Sequence, residues 1–379
     1  MPWNEVTVMS RRKEFVLLSR VEGANLSELC CRFGISRPTA YKWLGRYSRD
    51  DGGWAQDRSR RPRSSPNQTS RDMEILVLGV REEHPCWGGR KIRRRLGDLG
   101  NCGVPSASTI TEILRRHGCL RSGESRQGGA MQRFEHAFPN DLWQMDFKGR
   151  VSTARGYCHP LTVVDDHSRF AVCVSACGDE EARTVQRSLI PVFRDYGLPI
   201  RMLSDNGSSF CASNSRYNYL SAWLIRLGIS ISHGRAYHPQ TQGKNERFNR
   251  TLGLEAVLGR NFRDLSECQL AFDRFRYSYN FERPHEALGL EVPQSRYRVS
   301  RFSYPEVLPP VEYPPGDLVR RVNGGGLLHF RSKFYPIGRA FRKEWVGLRG
   351  TDIDGVLDVY YCHHRVMVLD LRTRSWRQT

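Results

Sequence analysis

Leu142-Trp-Gln-Met-Asp-Phe-Lys-Gly149 marks the point where this chain changes character. Upstream, apolar residues recur at helical spacing; from here they fall in short runs rich in Trp, Tyr, Phe and Val, the pattern of strands. Residues 142–149, 157–165, 169–177 and 200–204 read as strands. Residues 180–196 read as a helix with Val185, Leu189 and Val192 as its inner stripe. A short strand at Gly228-Ile-Ser-Ile-Ser232 precedes a helix that starts near Pro239. Three sequential strands followed by alternating helix and strand predict a mixed α/β sheet for residues 139–300.

Three carboxylates punctuate that segment, and the sheet they punctuate fits the ribonuclease-H kind. Asp146 follows Trp143 and Met145 on a strand, where alternation exposes one face while the other packs. Asp205, in Leu203-Ser-Asp-Asn-Gly207, lies just past a strand's carboxyl end, where open α/β sheets place their ligands. Glu246 falls on the predicted helix, with Gln242, Glu246 and Arg250 on one face and Phe248 and Leu252 on another. The separations are 59 residues (146 to 205) and 41 residues (205 to 246). Two aspartates and a glutamate in that order suggest a site holding two divalent cations for phosphoryl transfer on nucleic acid. Mg²⁺ needs only a few carboxylates because it keeps several waters and takes substrate phosphates. Two such ions about 3.5–4 Å apart activate the attacking oxygen and stabilise the leaving one. Each residue alone has a plainer reading: Asp-Asn-Gly is most often a turn. Asp165 and Asp166 form a rival pair, but Asp-Asp-His-Ser-Arg169 reads better as a strand-end turn.

Working back toward the start, residues 1–57 form a first unit. Leu26, Leu29, Cys30 and Phe33 share one helix face, Gly34 breaks the helix, and Ser36 is a good N-cap for a second helix carrying Pro38 in its first turn. Helix, glycine turn, helix is the layout whose second helix enters the major groove, so Arg37, Thr39, Lys42 and Arg46 are expected to face DNA. An ordinary helical hairpin is the alternative. Residues 58–70 are a basic, Ser/Pro-rich linker, and residues 71–120 a second helical DNA-binding unit. Arg90, Lys91 and Arg94 belong to its basic run, in Trp87-Gly-Gly-Arg-Lys-Ile-Arg-Arg-Arg-Leu96. Residues 121–138 read as a second linker.

Beyond the α/β segment, residues 301–316 form a Pro-rich linker expected to be extended. Residues 317–323, 327–335, 345–349, 356–362 and 364–370 then suggest five short strands closing a small β-barrel over residues 317–379.

Composition agrees with a polyanionic partner. The chain has 379 residues and a formal net charge of +19, of which residues 1–138 hold 25 basic and 15 acidic side chains, net +10. No apolar run approaches the roughly 20 residues of a membrane span, and residues 1–20 lack a signal-peptide core, so no membrane partner is expected. Eleven scattered cysteines without a C-x-x-C pair argue for reduced thiols in a cytoplasmic protein.

With these segments in hand, the chain resembles a bacterial insertion-sequence transposase of the DDE group related to retroviral integrases. The resemblance rests on Asp146, on Ser204-Asp-Asn-Gly207, on His238-Pro-Gln-Thr-Gln-Gly-Lys-Asn-Glu-Arg-Phe-Asn-Arg-Thr-Leu252, and on Tyr279-Asn-Phe-Glu-Arg-Pro-His-Glu-Ala-Leu288. It implies a multidomain protein: N-terminal all-α helix-turn-helix units, a central α/β ribonuclease-H-like catalytic core, and a small domain behind it. It further implies Mg²⁺ or Mn²⁺ bound by Asp146, Asp205 and Glu246, and terminal inverted repeats bound by the helical units, in a bacterial, nucleoid-associated setting. Two departures stand out. The interval from the second to the third carboxylate is longer than is common in this group, with residues 211–222 expected to hold the extra turn. The zinc-binding unit of retroviral integrases has no counterpart, since His84 and His117 lack partners at ligand spacing, so zinc is not expected.

The expected reaction is hydrolysis of a phosphodiester at each element end, followed by joining of the freed 3′-hydroxyl to target DNA. Gln242, Lys244, Arg247 and Arg250 would contact DNA near the site; solvated helix charges are the alternative. Joining two ends requires a homodimer or higher oligomer on double-stranded DNA. A structure-selective nuclease and a non-catalytic DNA-binding regulator are the competing functions.

Overall fold

The computed structural model describes residues 7–49, 53–57, 68–120, 135–204, 217–233, 243–373 and 375–378. The chain divides into two compact units, Met1–Gln68 and Thr69–Thr379. Among the described residues no helix is long and apolar enough to cross a membrane.

The first unit is built on three helices: α1 (Val8–Ser19), α2 (Leu26–Phe33) and α3 (Arg37–Tyr47). Gly34 ends α2 at φ +63°, a backbone that glycine adopts without strain, and the Ser36 hydroxyl caps α3 by accepting from the Thr39 N–H. Phe15, Val16, Cys30, Ala40 and Trp43 form the core. Arg12 closes it from above: its guanidinium stacks 4.0 Å from the Trp43 ring and donates to the Ala55 carbonyl and the Asp57 carboxylate, each at 2.8 Å.

The second unit opens with α4 (Arg71–Glu83), α5 (Gly89–Asp98) and α6 (Ala107–Arg116), packed around Val77, Trp87, Ile92, Leu96, Ile110 and Leu114. α5 and α6 approach so closely that a Cβ at Gly89 would collide with the Ala107 carbonyl oxygen. This helical layer also touches the sheet domain. Arg95 donates to Glu282 at 2.7 Å, Arg90 lies 3.6 Å from Glu286, and the Cys86 thiol sits 3.8 Å from the Leu254 carbonyl.

The sheet comprises β1 (Leu142–Phe147), β2 (Val151–Thr153), β3 (Gly156–Asp165), β4 (Ala171–Cys177), β5 (Arg201–Ser204) and β6 (Ser230–His233). Its order is β2-β3-β1-β5-β6, with β4 also paired to β3. β1 runs antiparallel to β3 and parallel to β5, so β1 is central. α7 (Ala182–Tyr196) and α8 (Tyr219–Arg226) cover one face, packing Val185, Leu189, Phe193 and Trp223 on Trp143, Met145, Leu161 and Val163. α9 (Gly243–Leu252) and α10 (Leu265–Phe281) cover the other, with Phe248, Leu252, Phe272, Phe275 and Tyr279 over Val164, Ala171 and Val174. α10 also seals the free edge of β4. Asn280 accepts from the Ala171 N–H and donates to its carbonyl; Gln269 does the same for Ala176 and Val174. A sheet edge whose backbone groups are already bonded has none to offer another strand.

Residues 301–316 are strapped along the core rather than standing free. The Leu198 N–H donates to the Phe302 carbonyl, Arg194 forks onto Glu306, and the Tyr313 hydroxyl donates to the Trp345 carbonyl. The C-terminal domain holds β7 (Leu318–Arg321), β8 (Leu327–Phe330), β9 (Lys333–Pro336), β10 (Trp345–Gly350), β11 (Val356–Tyr361), β12 (His364–Asp370) and β13 (Ser375–Gln378). Seven strands stand among the described residues where five were expected. The run 327–335 is a hairpin rather than one strand, because Arg331 and Ser332 take positive φ and turn the chain. The remaining strands form an antiparallel sheet in the order β13-β12-β11-β10-β7. Among the described residues no ladder joins β13 to β7, and the region is β-rich. Its core continues into Tyr217, Ala222 and Ile225 at α8.

Candidate active site

Asp146 occupies the central strand, opposite Thr162 of β3. Alternation sends Trp143 and Met145 into the α7 layer and leaves Gln144 and Asp146 for the α9 side. There Asn249 of α9 donates to Asp146 Oδ2 at 2.8 Å. Asn249 is itself oriented by the buried Thr162 hydroxyl, which lies 3.1 Å from Asn249 Oδ1 and 3.0 Å from the Asp146 carbonyl oxygen. One helix side chain therefore fixes the rotamer of the strand carboxylate. The same helix carries Glu246 one turn earlier, exposed and, among the described residues, without a hydrogen bond or ion pair.

β5 runs parallel to β1, with Leu203 opposite Gln144, and ends at Ser204. Asp205 and Gln242 lie outside the described residues. Asp146 and Glu246 supply two hard carboxylates, a donor set that suits Mg²⁺ or Mn²⁺. Among the described residues no group of three His, Cys, Asp or Glu side chains stands close enough to hold an ion by itself.

Behind the carboxylates lies a buried polar layer. Asp165 accepts from the Asn140 N–H at 2.7 Å and the Ser168 N–H at 2.8 Å, and burial pushes its carboxyl above the usual range against those bonds. It closes the β3–β4 turn, in which Arg169 takes φ +65°. Asp166 accepts from the His136 N–H at 3.0 Å, from Gln144 Nε2 at 2.7 Å and from Lys244 Nζ. Lys244, read from the sequence as a phosphate contact, is thus engaged internally; burial holds its ammonium below the usual lysine range, opposed by the Asp166 carboxylate. Arg247 and Arg250 are exposed on α9.

The residues expected to face DNA divide in two. In α3, Lys42 is exposed, Arg37 donates to Ser27 at 2.6 Å, the Thr39 hydroxyl joins the Ser36 cap at 3.0 Å, and Arg46 stacks 4.6 Å from Trp43. In α5, Arg94 pairs with Asp98 along the helix at 2.8 Å. Arg90 and Lys91 turn toward the sheet domain: Arg90 meets Glu286, and burial, with Arg283 nearby, pushes Lys91 down to about 8. Asn249 and Thr162 were not anticipated, and Asp166, read from the sequence as half of a strand-end turn, has a partner in Lys244 that the reading did not foresee. The available signals were a lone hydroxyl inside the apolar run of β3, and an amide three residues past Glu246.

The Integrase core domain family matches residues 136–239, and a second Integrase core domain family matches 227–293. The C-terminal domain of the IS481 family transposase matches 317–377; a Homeodomain-like domain matches 39–114 and a Helix-turn-helix domain 11–63. An uncharacterized 31.7 kDa protein of insertion element IS407 from Burkholderia multivorans is 27% identical over 188 residues, covering 48% of this chain and 66% of that protein. The Gag-Pol polyprotein of avian reticuloendotheliosis virus is 25% identical over 185 residues, 43% of this chain but 15% of the polyprotein. Among solved structures, a simian T-cell lymphotropic virus intasome in complex with PP2A regulatory subunit B56 gamma is similar at TM-score 0.38 and 14% identity, covering 76% of this chain and 96% of that one. The BIV integrase catalytic core is similar at TM-score 0.31 and 23% identity, covering 41% and 92%.

The matched families place helix-turn-helix segments at one end and an integrase core in the middle, each over less than half of the chain, and the chain spans less than two thirds of the length of the curated relatives it matches. With a segment similar to the C-terminal domain of the IS481 family transposase behind that core, the chain is similar in its parts to integrase-like insertion-sequence DDE transposases.

Proposed function

We propose that this chain is a metal-dependent DNA strand transferase. It binds the terminal inverted repeats of its element, hydrolyses the phosphodiester at each end, and joins the freed 3′-hydroxyl to target DNA. The observation that carries this reading is Asn249: the helix bearing Glu246 reaches Asp146 through it, so two of the three expected carboxylates stand on elements tied by one hydrogen bond. Asp146, Asp205 and Glu246 would hold Mg²⁺ or Mn²⁺. When bound, such ions supply charge stabilisation for in-line displacement at phosphorus. Asn249 and Thr162 hold the Asp146 carboxylate in one orientation, and preorganisation of that kind lowers the barrier because nothing must rearrange during reaction. The exposed Lys42 on α3 and Arg247 and Arg250 on α9 are proposed phosphate contacts, which position DNA without reading its sequence. Assembly as a homodimer or higher oligomer on double-stranded DNA, in the bacterial cytoplasm at the nucleoid, completes the proposal.

The test is a strand-transfer assay with labelled element ends, comparing wild type, Asp146→Asn and Glu246→Gln in Mg²⁺ and in EDTA. Metal-dependent joined products, reduced at least about a thousandfold in both variants, are expected, as for loss of a group acting mainly on the transition state. Cleavage without joining would replace the transferase with a nuclease. Repeat binding without either product would leave a regulator.

A further inference from the structure

Asp166 carries a carboxylate that is 4% exposed, directly after β3 and within the layer behind Asp146. Burying a carboxylate is costly unless its oxygens are bonded. Here two donors come from the sheet side, the His136 N–H and Gln144 Nε2, and the third is the ammonium of Lys244 in the first turn of α9. Lys244 Nζ also reaches the Asp166 carbonyl oxygen at 3.3 Å. Arg169 Nη1 stands 4.0 Å from the same carboxylate.

The position of Lys244 on its helix matters. Residues two apart differ by about 200° around an α-helix. Lys244 reaching inward therefore turns Glu246 outward, as its exposure shows. Five residues on, Asn249 tethers the same helix to Asp146 and Thr162. α9 is thus pinned at two points about a turn and a half apart, with Glu246 between them.

We propose that the Asp166–Lys244 ion pair is a latch that sets the rotation and depth of α9, and so the place of Glu246 relative to Asp146. Asp166 and Lys244 are positioning residues, and Lys244 is not a phosphate contact. The functional arm of this inference rests on the strand-transferase reading; the structural arm does not.

The test uses the full chain as wild type, Asp166→Asn, Lys244→Met and Lys244→Arg. Amide hydrogen exchange over residues 245–252 is measured without metal, single-turnover joining with pre-bound DNA, and DNA affinity as a function of salt. Asp166→Asn and Lys244→Met are expected to speed exchange in α9 about tenfold and slow joining between ten- and a hundredfold, the range for a small misplacement of a reacting group. DNA affinity stays unchanged, and Lys244→Arg restores most of both losses. Unaltered exchange and joining in both variants overturn the latch. Weaker DNA binding with a shallower salt dependence in Lys244→Met also overturns it, because that is the signature of a lost phosphate contact. If Asp166→Asn does not fold, the two Lys244 variants decide the matter. If wild type joins no DNA, the transferase reading fails while hydrogen exchange still tests the latch.

Discussion

Burial, aided by Arg283 and Lys91, pushes the His285 imidazole down to about 3. Its ring lies against Tyr279 at 4.5 Å, and its Nε2 donates to the Tyr279 carbonyl at 3.4 Å. The histidine is buried and is part of the packing behind α10. The unfolded chain takes up a proton near the ordinary value of 6.5, whereas the folded chain stays neutral until about 3. Between those limits the unfolded state binds more protons, so stability falls as pH drops. Above pH 6.5 this group contributes no slope. Replacing it by His285→Gln should remove roughly 1.4 kcal/mol per pH unit from the acid-side slope of unfolding free energy. Urea melts at pH 7, 6 and 5 measure it, and parallel slopes for the two proteins would contradict the assignment. The proposed catalytic residues were legible in a different way. Asp146 and Glu246 announce themselves through motif and strand or helix position. The pairings of Thr162 and Asp166 do not, because their partners lie 87 and 78 residues away and no local spacing encodes them.

At the scale of elements, legibility followed local signals. Gly34, the Ser36 cap and Pro38 locate α2 and α3 because each obeys a backbone constraint that sequence displays directly. α1 escaped notice since its apolar residues surround the helix: Phe15 and Val16 are buried while Val8, Met9 and Leu17 are exposed. α8, α10, β2 and β13 were missed as well, and the β8–β9 hairpin passed for one strand because Arg331-Ser332 is not a usual turn pair. The close seat of α5 against α6 was equally hidden, although its cause is one residue. A methyl at Gly89 would meet the Ala107 carbonyl oxygen and lie 2.6 Å from Thr111 Oγ1. Backbone cannot yield as a side-chain tip does, so the helices must part. Gly89→Ala should therefore cost about 1–3 kcal/mol despite alanine's better helix propensity. A melting temperature at or above wild type would show that α5 sits less tightly than the structure has it.

The assembly of the second unit depends on charge meeting charge across long sequence distance. α5 is basic enough to be read as a DNA-facing helix, yet Arg90 and Arg95 meet Glu286 and Glu282 of the sheet domain. The Arg95–Glu282 bond spans 187 residues at 2.7 Å, with both side chains about three-quarters buried. His84, stacked on Trp87, lies 4.0 Å from the same glutamate. Such a pair is worth little as net stability, but removing one member strands the other in a partly dry interface. Glu282→Arg, which sets like charges together, should then destabilise the chain by about 1–3 kcal/mol. Arg95→Glu should do so to a similar extent. The double exchange, Arg95→Glu with Glu282→Arg, rebuilds the pair in reverse and should recover at least half of the combined loss. A coupling energy read from urea melts of the four proteins isolates that pairwise part from whatever each substitution does alone. Strict additivity would mean that the helical layer is seated on the sheet domain by its apolar and backbone contacts, with Arg95 left available to DNA.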